Sequence, residues 1–206
     1  MTIAALILAA GEGSRFVYDH GEGTIHKLLA PLRGKPVVRW VLDAVIDAGF
    51  TRIYVVTGAA DLTSVLDDVR SGLVSAGPSH PAPAVVIEVP APDWVDGQAR
   101  TLQAGVRRAR LDGMRAVVVG LGDQPMVPAA AWRSVAAASG PVAMAEFDGS
   151  LRPPVKLERE VWDLLPTEGD EGARTLILAR PDLLSRIPCR GNPADIDTAE
   201  DLARWS

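Results

Sequence analysis

Two cations, two acids and a glycine-rich loop hold most of the chemistry written in this chain. Leu8-Ala9-Ala10-Gly11-Glu12-Gly13-Ser14-Arg15 closes an apolar segment, and Lys27 stands further on. Small residues let a ligand lie against bare backbone, and the two cations supply charge for phosphates. A tight turn requiring positive φ would use the same glycines, and any single Arg or Lys is ordinary on a surface loop. The loop is not a dinucleotide fingerprint, because no third glycine follows at the required place. Nor is it a Walker A loop, because no Gly-Lys-Ser/Thr follows.

The acids come from two distant places. Asp123, in Leu121-Gly122-Asp123-Gln124-Pro125, directly follows Val117-Val118-Val119-Gly120. A carboxylate at the end of a buried parallel strand points into the cleft above the sheet, where it can hold a hard cation through oxygen. An Asp bonding its own backbone ahead of Pro125 is the alternative. The second acidic motif is Asp195-Ile196-Asp197-Thr198. Helix capping would explain it, but Thr198 can cap without Asp197, which leaves that carboxylate free. Two carboxylates could then share one metal on a triphosphate. Two further loops feed helices. Trp94-Val95-Asp96-Gly97-Gln98 offers small residues and a helix start, or an ordinary cap by Asp96. Glu168-Gly169-Asp170-Glu171-Gly172-Ala173-Arg174 reads as a surface loop, or as a lid or acceptor-side loop. His20, His26 and His80 show no ligand spacing and read as solvated surface residues. Phosphoryl-type transfer to an already ionised acceptor needs no poised histidine, because positioning and charge neutralisation carry it.

These residues must be positioned by alternating strands and helices. Ile3–Ala9 is a continuous apolar strand of the kind buried on both faces of a parallel sheet. A helix over 35–48 follows from Val37, Val38, Val41, Leu42, Val45 and Ile46, with Gly49 closing it. Strands are predicted over 52–57, 84–89, 115–120 and 142–146. Helices are predicted over 62–73, 98–109, 128–138, 158–165 and 172–179, and over 198–205 with Thr198 as N-cap and Asp201 in the box position. Residues 77–83 read as an exposed Pro/Gly/Ser-rich loop. The order predicts an α/β fold, a three-layer α/β/α Rossmann-like sandwich on a mostly parallel sheet with right-handed crossovers. Ligands should bind at the carboxyl ends of its strands.

Bulk properties narrow the classes. The 206 residues suit one domain over 1–206, with no internal repeat or linker. A formal charge of −5 argues against a nucleic-acid binder. The lone Cys189 excludes a disulfide framework and a multi-Cys zinc site. The N-terminal apolar run has no basic segment before it and is broken early by Gly11, Glu12 and Arg15, so it does not read as a signal peptide. No run approaches about 18 apolar residues, so no membrane span is expected and the cytoplasm is the default location. Most of the five tryptophans should be core.

Taken together, Leu8-Ala9-Ala10-Gly11-x-Gly13-Ser14-Arg15, Lys27-Leu28-Leu29-x-Pro31, Gly34-Lys35-Pro36 and Asp123 resemble the nucleotidyltransferase superfamily with a glycosyltransferase-A-like sandwich. Asp123-Gln124-Pro125, Gly169–Arg174 and Asp195–Leu202 bring the chain nearest to the MobA-like molybdenum-cofactor cytidylyltransferases, over nearly its whole length. The resemblance implies that Leu8, Ala9, Ala10 and Gly11 contact the base through backbone, with Gly13 and Ser14 in the same nucleotide loop. It implies that Gly58 and Gly97 lie against base or ribose, and that Arg15 and Lys27 hold the triphosphate. Asp123 and Asp197 would hold Mg²⁺, with Arg15, Lys27 and Asp123 catalytic. The substrates implied are a nucleoside triphosphate, CTP on the strength of Ala-Ala-Gly, and a phosphorylated small molecule. The acceptor could be the molybdenum cofactor, a sugar phosphate or an isoprenoid precursor. A non-catalytic nucleotide-binding or chaperone-like protein is the alternative. Two features depart from the family: the segment 16–26 lengthens the Arg-to-Lys spacing and reads as a lid, and Pro153 stands where relatives carry a histidine.

Overall fold

The computed structural model describes residues 2–18, 24–75 and 84–206. Its elements in chain order are β1 (Ile3–Ala9), β2 (Pro31–Leu32), β3 (Lys35–Pro36), α1 (Val37–Asp47), β4 (Arg52–Thr57), α2 (Thr63–Ser75), β5 (Val85–Pro90), α3 (Gln98–Leu111), β6 (Ala116–Leu121), α4 (Ala129–Ala137), β7 (Val142–Phe147), β8 (Ser150–Glu158), α5 (Ala173–Ala179), β9 (Leu184–Pro188) and α6 (Ala199–Trp205). Seven strands form one sheet in the order β5-β4-β1-β6-β8-β7-β9. β5, β4, β1 and β6 run parallel, β8 runs antiparallel to both neighbours, and β7 and β9 are again parallel. The sheet is therefore mostly parallel, as the alternating pattern predicts.

β1 shows why the middle of the sheet reads as one apolar run. Ala5, Ile7 and Ala9 face a core shared with α1, α2 and α4, while Ala4 and Leu6 face a second core shared with α3 and α5. A strand covered on both faces has no polar side to show. A third, smaller core joins Phe16, Leu32, Val37, Ile196 and Leu202. It ties the segment after the glycine-rich loop to the start of α1 and to the terminal helix.

Three expectations need correction. The helix expected over 35–48 begins at Val37. Lys35 pairs with Leu32 as part of a small β2–β3 ladder, because the residue before a proline is pushed out of the helical region. No element was expected over most of 150–158, yet β8 lies there between β6 and β7. Pro153 and Pro154 sit at an irregularity where the pairing jumps from Met144–Val155 to Ala145–Arg152, a place where missing N–H groups are tolerated. The segment 159–164 is a 3-10 turn rather than a helix over 158–165, and β9 is a further short edge strand. The Pro/Gly/Ser-rich loop over 77–83 lies outside the described residues. No helix among the described residues is long and apolar enough to cross a membrane.

Gly120, the last residue but one of β6, is fixed by contact. A Cβ there would come within 2.4 and 2.6 Å of the Trp132 ring, which is buried beneath the strand. Gly120→Ala is expected to lower unfolding free energy by about 1–3 kcal/mol through overpacking. Urea denaturation measures this, and an unchanged midpoint would show that the ring yields.

Candidate active site

β1, β4 and β6 end side by side, and the loops that follow them carry the predicted residues. Gly122 N–H bonds the Leu8 carbonyl at 2.9 Å, so the glycine-rich loop and the Asp123 loop leave the sheet locked together. The segment before the terminal helix is strapped to the same place. Ile196 N–H bonds the Asp123 carbonyl at 2.9 Å, and the Ile196 side chain is fully buried in the third core. Gln124, only 3% exposed, donates its amide to the Pro193 carbonyl at 3.1 Å and to Asp195 Oδ1 at 2.7 Å. Asp201 and Thr198 form the predicted capping box, and Asp201 Oδ2 also accepts from Asp197 N–H at 3.2 Å. The cap is thus complete without the Asp197 side chain.

That side chain points at the cations. Lys27 Nζ lies 2.5 Å from Asp123 Oδ2 and 2.9 Å from Asp197 Oδ1, and Arg15 reaches Asp197 Oδ2 at 3.1 Å. Lys27 is 12% exposed and Asp123 18%. Burial alone would lower the Lys27 pKa, but Asp123 and then Asp197 outweigh it and hold it above the ordinary lysine value. Asp195 is the contrasting group. Burial pushes its carboxyl up, the charges of Asp123 and Asp197 push the same way, and Gln124 and Arg152 oppose them.

The glycine-rich loop is shaped around Lys27. Gly13 has φ +65°, and a Cβ there would lie 3.1 and 3.2 Å from Lys27 Cγ and Cδ. The Phe16 N–H bonds the Gly13 carbonyl at 2.8 Å and closes the turn behind Arg15. The ends of the long segment between the cations are anchored, not free. Phe16 is buried, stacks with Tyr18 at 6.0 Å, and Ile25 N–H bonds the Tyr18 carbonyl at 3.3 Å. Arg15 and Lys27 both reach Asp197 from these anchored ends. The middle of that segment, with His20, lies outside the described residues, as does His80.

A cavity of about 550 Å³ opens above this cluster. Leu8, Ala9, Ala10, Gly11, Gly13, Ser14, Arg15, Lys27, Gly97 and Asp123 all contribute to its wall, together with Trp94 and Thr101. Gly58 is not in that wall. A Cβ on it would meet the Ala10 carbonyl at 2.6 Å and Trp94 at 2.7 Å, so it permits their close packing. Gly97, with φ +105°, backs onto the acidic loop, where a Cβ would meet Asp170 Oδ1 at 2.6 Å and the Gly169 carbonyl at 2.7 Å. That loop is docked on the first turn of α3, with Ala99 N–H bonding Gly169 O at 2.9 Å. A second cavity of about 760 Å³ shares Leu8, Gln98, Leu121 and Asp170 with the first.

The residues present fit a divalent cation. Asp123 Oδ1 is buried and has no hydrogen-bond partner, which leaves one hard oxygen unsatisfied beside Asp197. No group of three His, Cys, Asp or Glu residues among those described is arranged to hold a metal alone. Two carboxylates completed by phosphate oxygens is a donor set that suits Mg²⁺.

Gln124, Trp94 and Asp170 join the site beyond the individually predicted residues; each stands in a stretch the sequence marks, Asp123-Gln124-Pro125, Trp94–Gln98 and Glu168–Arg174, but its contacts are not legible there. The expectation for His26 is corrected: it is partly buried, with Nε2 3.0 Å from the Gly11 carbonyl and Nδ1 accepting from Leu28 N–H at 3.2 Å. That pair of contacts fits a neutral ring donating from Nε2.

Set beside known proteins, residues 5–183 match the family described as the MobA-like NTP transferase domain. The chain belongs to this nucleotidyltransferase family. It is 35% identical over 127 residues to the bifunctional protein GlmU of Rhizorhabdus wittichii, a stretch covering 61% of this chain and 24% of that protein. It is 51% identical over 43 residues to 2-C-methyl-D-erythritol 4-phosphate cytidylyltransferase of Prochlorococcus marinus, covering 21% and 17% of the two chains. The chain thus spans about a quarter or less of the curated relatives named here. A nucleotidyl transferase from Methanothermobacter thermautotroptrophicus superposes with a TM-score of 0.71 at 26% identity, over 98% of this chain and 95% of that one.

Burial, together with the Lys27 charge, holds the His26 pKa below its ordinary 6.5, against the pull of the Gly11 carbonyl. The unfolded chain then binds more protons, so the stability contributed by the neutral ring is complete above about pH 6.5 and is lost as pH falls towards the folded value. The stability difference between wild type and His26→Gln should shrink between pH 7.5 and 5 in thermal unfolding. A difference that stays constant would show that the ring does not titrate in this window.

Proposed function

We propose that the protein transfers a nucleoside monophosphate, CMP from CTP, to a phosphorylated small molecule and releases pyrophosphate. The observation that carries this is the convergence of Lys27, Arg15, Asp123 and Asp197 at the mouth of the glycine-rich loop. In this reading the backbone of Leu8–Gly11 receives the base, which Trp94 borders. Gly13 and Ser14 flank the phosphates, and Gly97 lies nearer the sugar. An oxygen of the ionised acceptor phosphate attacks the α-phosphorus. The bond from that phosphorus to the bridging oxygen breaks, and its electron pair leaves with pyrophosphate. No proton needs to move, so the missing histidine is no obstacle.

The Lys27 ammonium has three donors, and two are spent on Asp123 and Asp197. The third is available to a phosphate oxygen, and Arg15, largely exposed, can turn towards the leaving group. Asp123 and Asp197 would hold Mg²⁺, which would supply positive charge against the triphosphate. The base preference rests on Ala9-Ala10-Gly11 and on the local likeness to a cytidylyltransferase. The family likeness over residues 5–183 favours a molybdenum-cofactor acceptor, whereas Pro153 in place of histidine favours a different phosphate ester, a sugar phosphate or an isoprenoid precursor. A chain with no candidate membrane helix among its described residues is consistent with work in the cytoplasm.

Asp123→Ala should retain its circular dichroism and lose pyrophosphate release by at least about a hundredfold with CTP, Mg²⁺ and a phosphorylated acceptor that the wild type turns over. Undiminished release would remove Asp123 from the mechanism. Lys27→Met exposes both carboxylates to competition from a metal. Mn²⁺ binding without nucleotide, followed by electron paramagnetic resonance, should tighten by about tenfold or more. Weaker Mn²⁺ binding in that variant would mean that the two carboxylates are not the ligands.

A further inference from the structure

The second cavity has a chemistry of its own. Its wall is built from β6, β8, α3, α5 and the acidic loop, and it meets the nucleotide cavity along Leu8, Gln98, Leu121 and Asp170. Much of it is aliphatic. Met144 and Leu151 are partly exposed, and Leu178 on α5 is 65% exposed, large for a leucine on the rim of a cleft. Two arginines from different elements share this wall, Arg152 on β8 and Arg174 on α5. Arg152 is exposed and its side chain makes no hydrogen bond or ion pair with any described residue, although it acts electrostatically on Asp195. Arg174 meets Glu171 at 3.8 Å, and with exposures of 70% and 54% that pair holds it weakly. Both guanidinium groups are available, and a guanidinium fork matches a phosphate better than any other side chain does.

We propose that this cavity binds the acceptor as a phosphate monoester with an extended apolar body. Arg152 and Arg174 take the phosphate, and Met144, Leu151 and Leu178 cover the body. The proposal rests on the transferase reading of the adjoining cavity. It disfavours a sugar phosphate, whose hydroxyls would lie against aliphatic side chains and lose their hydrogen bonds to water. Asp170 and Glu171 stand in the same wall, and Glu171 is the acid 3.8 Å from Arg174, so the phosphate takes Arg174 from that weak, exposed pair. Arg152 also gives the altered stretch Arg152-Pro153-Pro154-Val155 a function. The guanidinium supplies the anion contact next to a position where a proline has none to offer.

The test uses 1-naphthyl phosphate and glucose 1-phosphate as probes, titrated calorimetrically into the whole protein with and without saturating CTP and Mg²⁺. Naphthyl phosphate should bind at least tenfold more tightly than glucose 1-phosphate and should still bind with CTP present. Arg152→Ala and Arg174→Ala should each weaken it by about tenfold and leave CTP affinity unchanged. Leu178→Ser should weaken naphthyl phosphate and leave glucose 1-phosphate unchanged. Equal affinity for the two probes, loss of naphthyl phosphate binding when CTP is added, or indifference to both arginine variants would each overturn the proposal. The CTP titration reports separately on the nucleotide cavity. If no nucleoside triphosphate binds there, the transferase reading fails, whereas CTP binding with no probe selectivity removes only the acceptor assignment.

Discussion

One ammonium ion between two carboxylates organises this cleft. Asp123 and Asp197 come from distant parts of the chain and would repel each other at the separation that a single Lys27 Nζ imposes, 2.5 and 2.9 Å from one oxygen of each. Burial of the lysine would in turn lower its pKa were the acids absent. The ammonium offsets the repulsion between the acids and the acids offset its burial, so the three have to be placed together. Such a cluster contributes little net stability, because desolvation cancels much of the attraction. It must be held by packing that gains elsewhere.

That packing is the third hydrophobic core. Phe16 lies one residue beyond Arg15, Ile196 one before Asp197, and Leu32 and Val37 a little after Lys27. Burying these side chains together sets the backbone from which each charged group projects. The Ile196–Asp123 backbone bond and the Gln124 amide then attach this unit to the end of β6. Apolar burial supplies the free energy and short polar contacts supply the register, the usual division when a site must be both charged and precise. The long segment between Arg15 and Lys27 is tolerated for the same reason, since its two ends are fixed by that core rather than by its length.

How much of this could be read from the residues depends on how local the cause is. β1, β4, β6 and the capped terminal helix follow from apolar runs and a Thr–Asp box, so they are visible in short windows of sequence. Asp123 and Asp197 are visible as acids left over once turns and caps are accounted for. β8 is not, because Pro153 and Pro154 are strand breakers in any local reading, and only a pairing irregularity against β7 accommodates them. His26 likewise reads as a loop residue. Its two hydrogen bonds, to Gly11 and Leu28, exist because the chain folds back over the glycine-rich loop. Gln124 earns its place through Pro193 and Asp195, which lie far ahead in the chain, and no spacing rule joins them.

The reversal of β8 divides the sheet into two kinds of surface. On one side β1, β4 and β6 run parallel, and their carboxyl ends furnish backbone, glycines and the Lys27 cluster, features indifferent to most side-chain change around them. On the other side β8 and α5 present side chains, two of them arginines and several aliphatic, to a separate cavity. A substitution on β8 or α5 alters that second wall without disturbing the bonds that unite Asp123, Ile196 and Leu8. The charged cluster tolerates one arrangement, and the cavity beyond β8 is where a fold of this kind can change what it accepts.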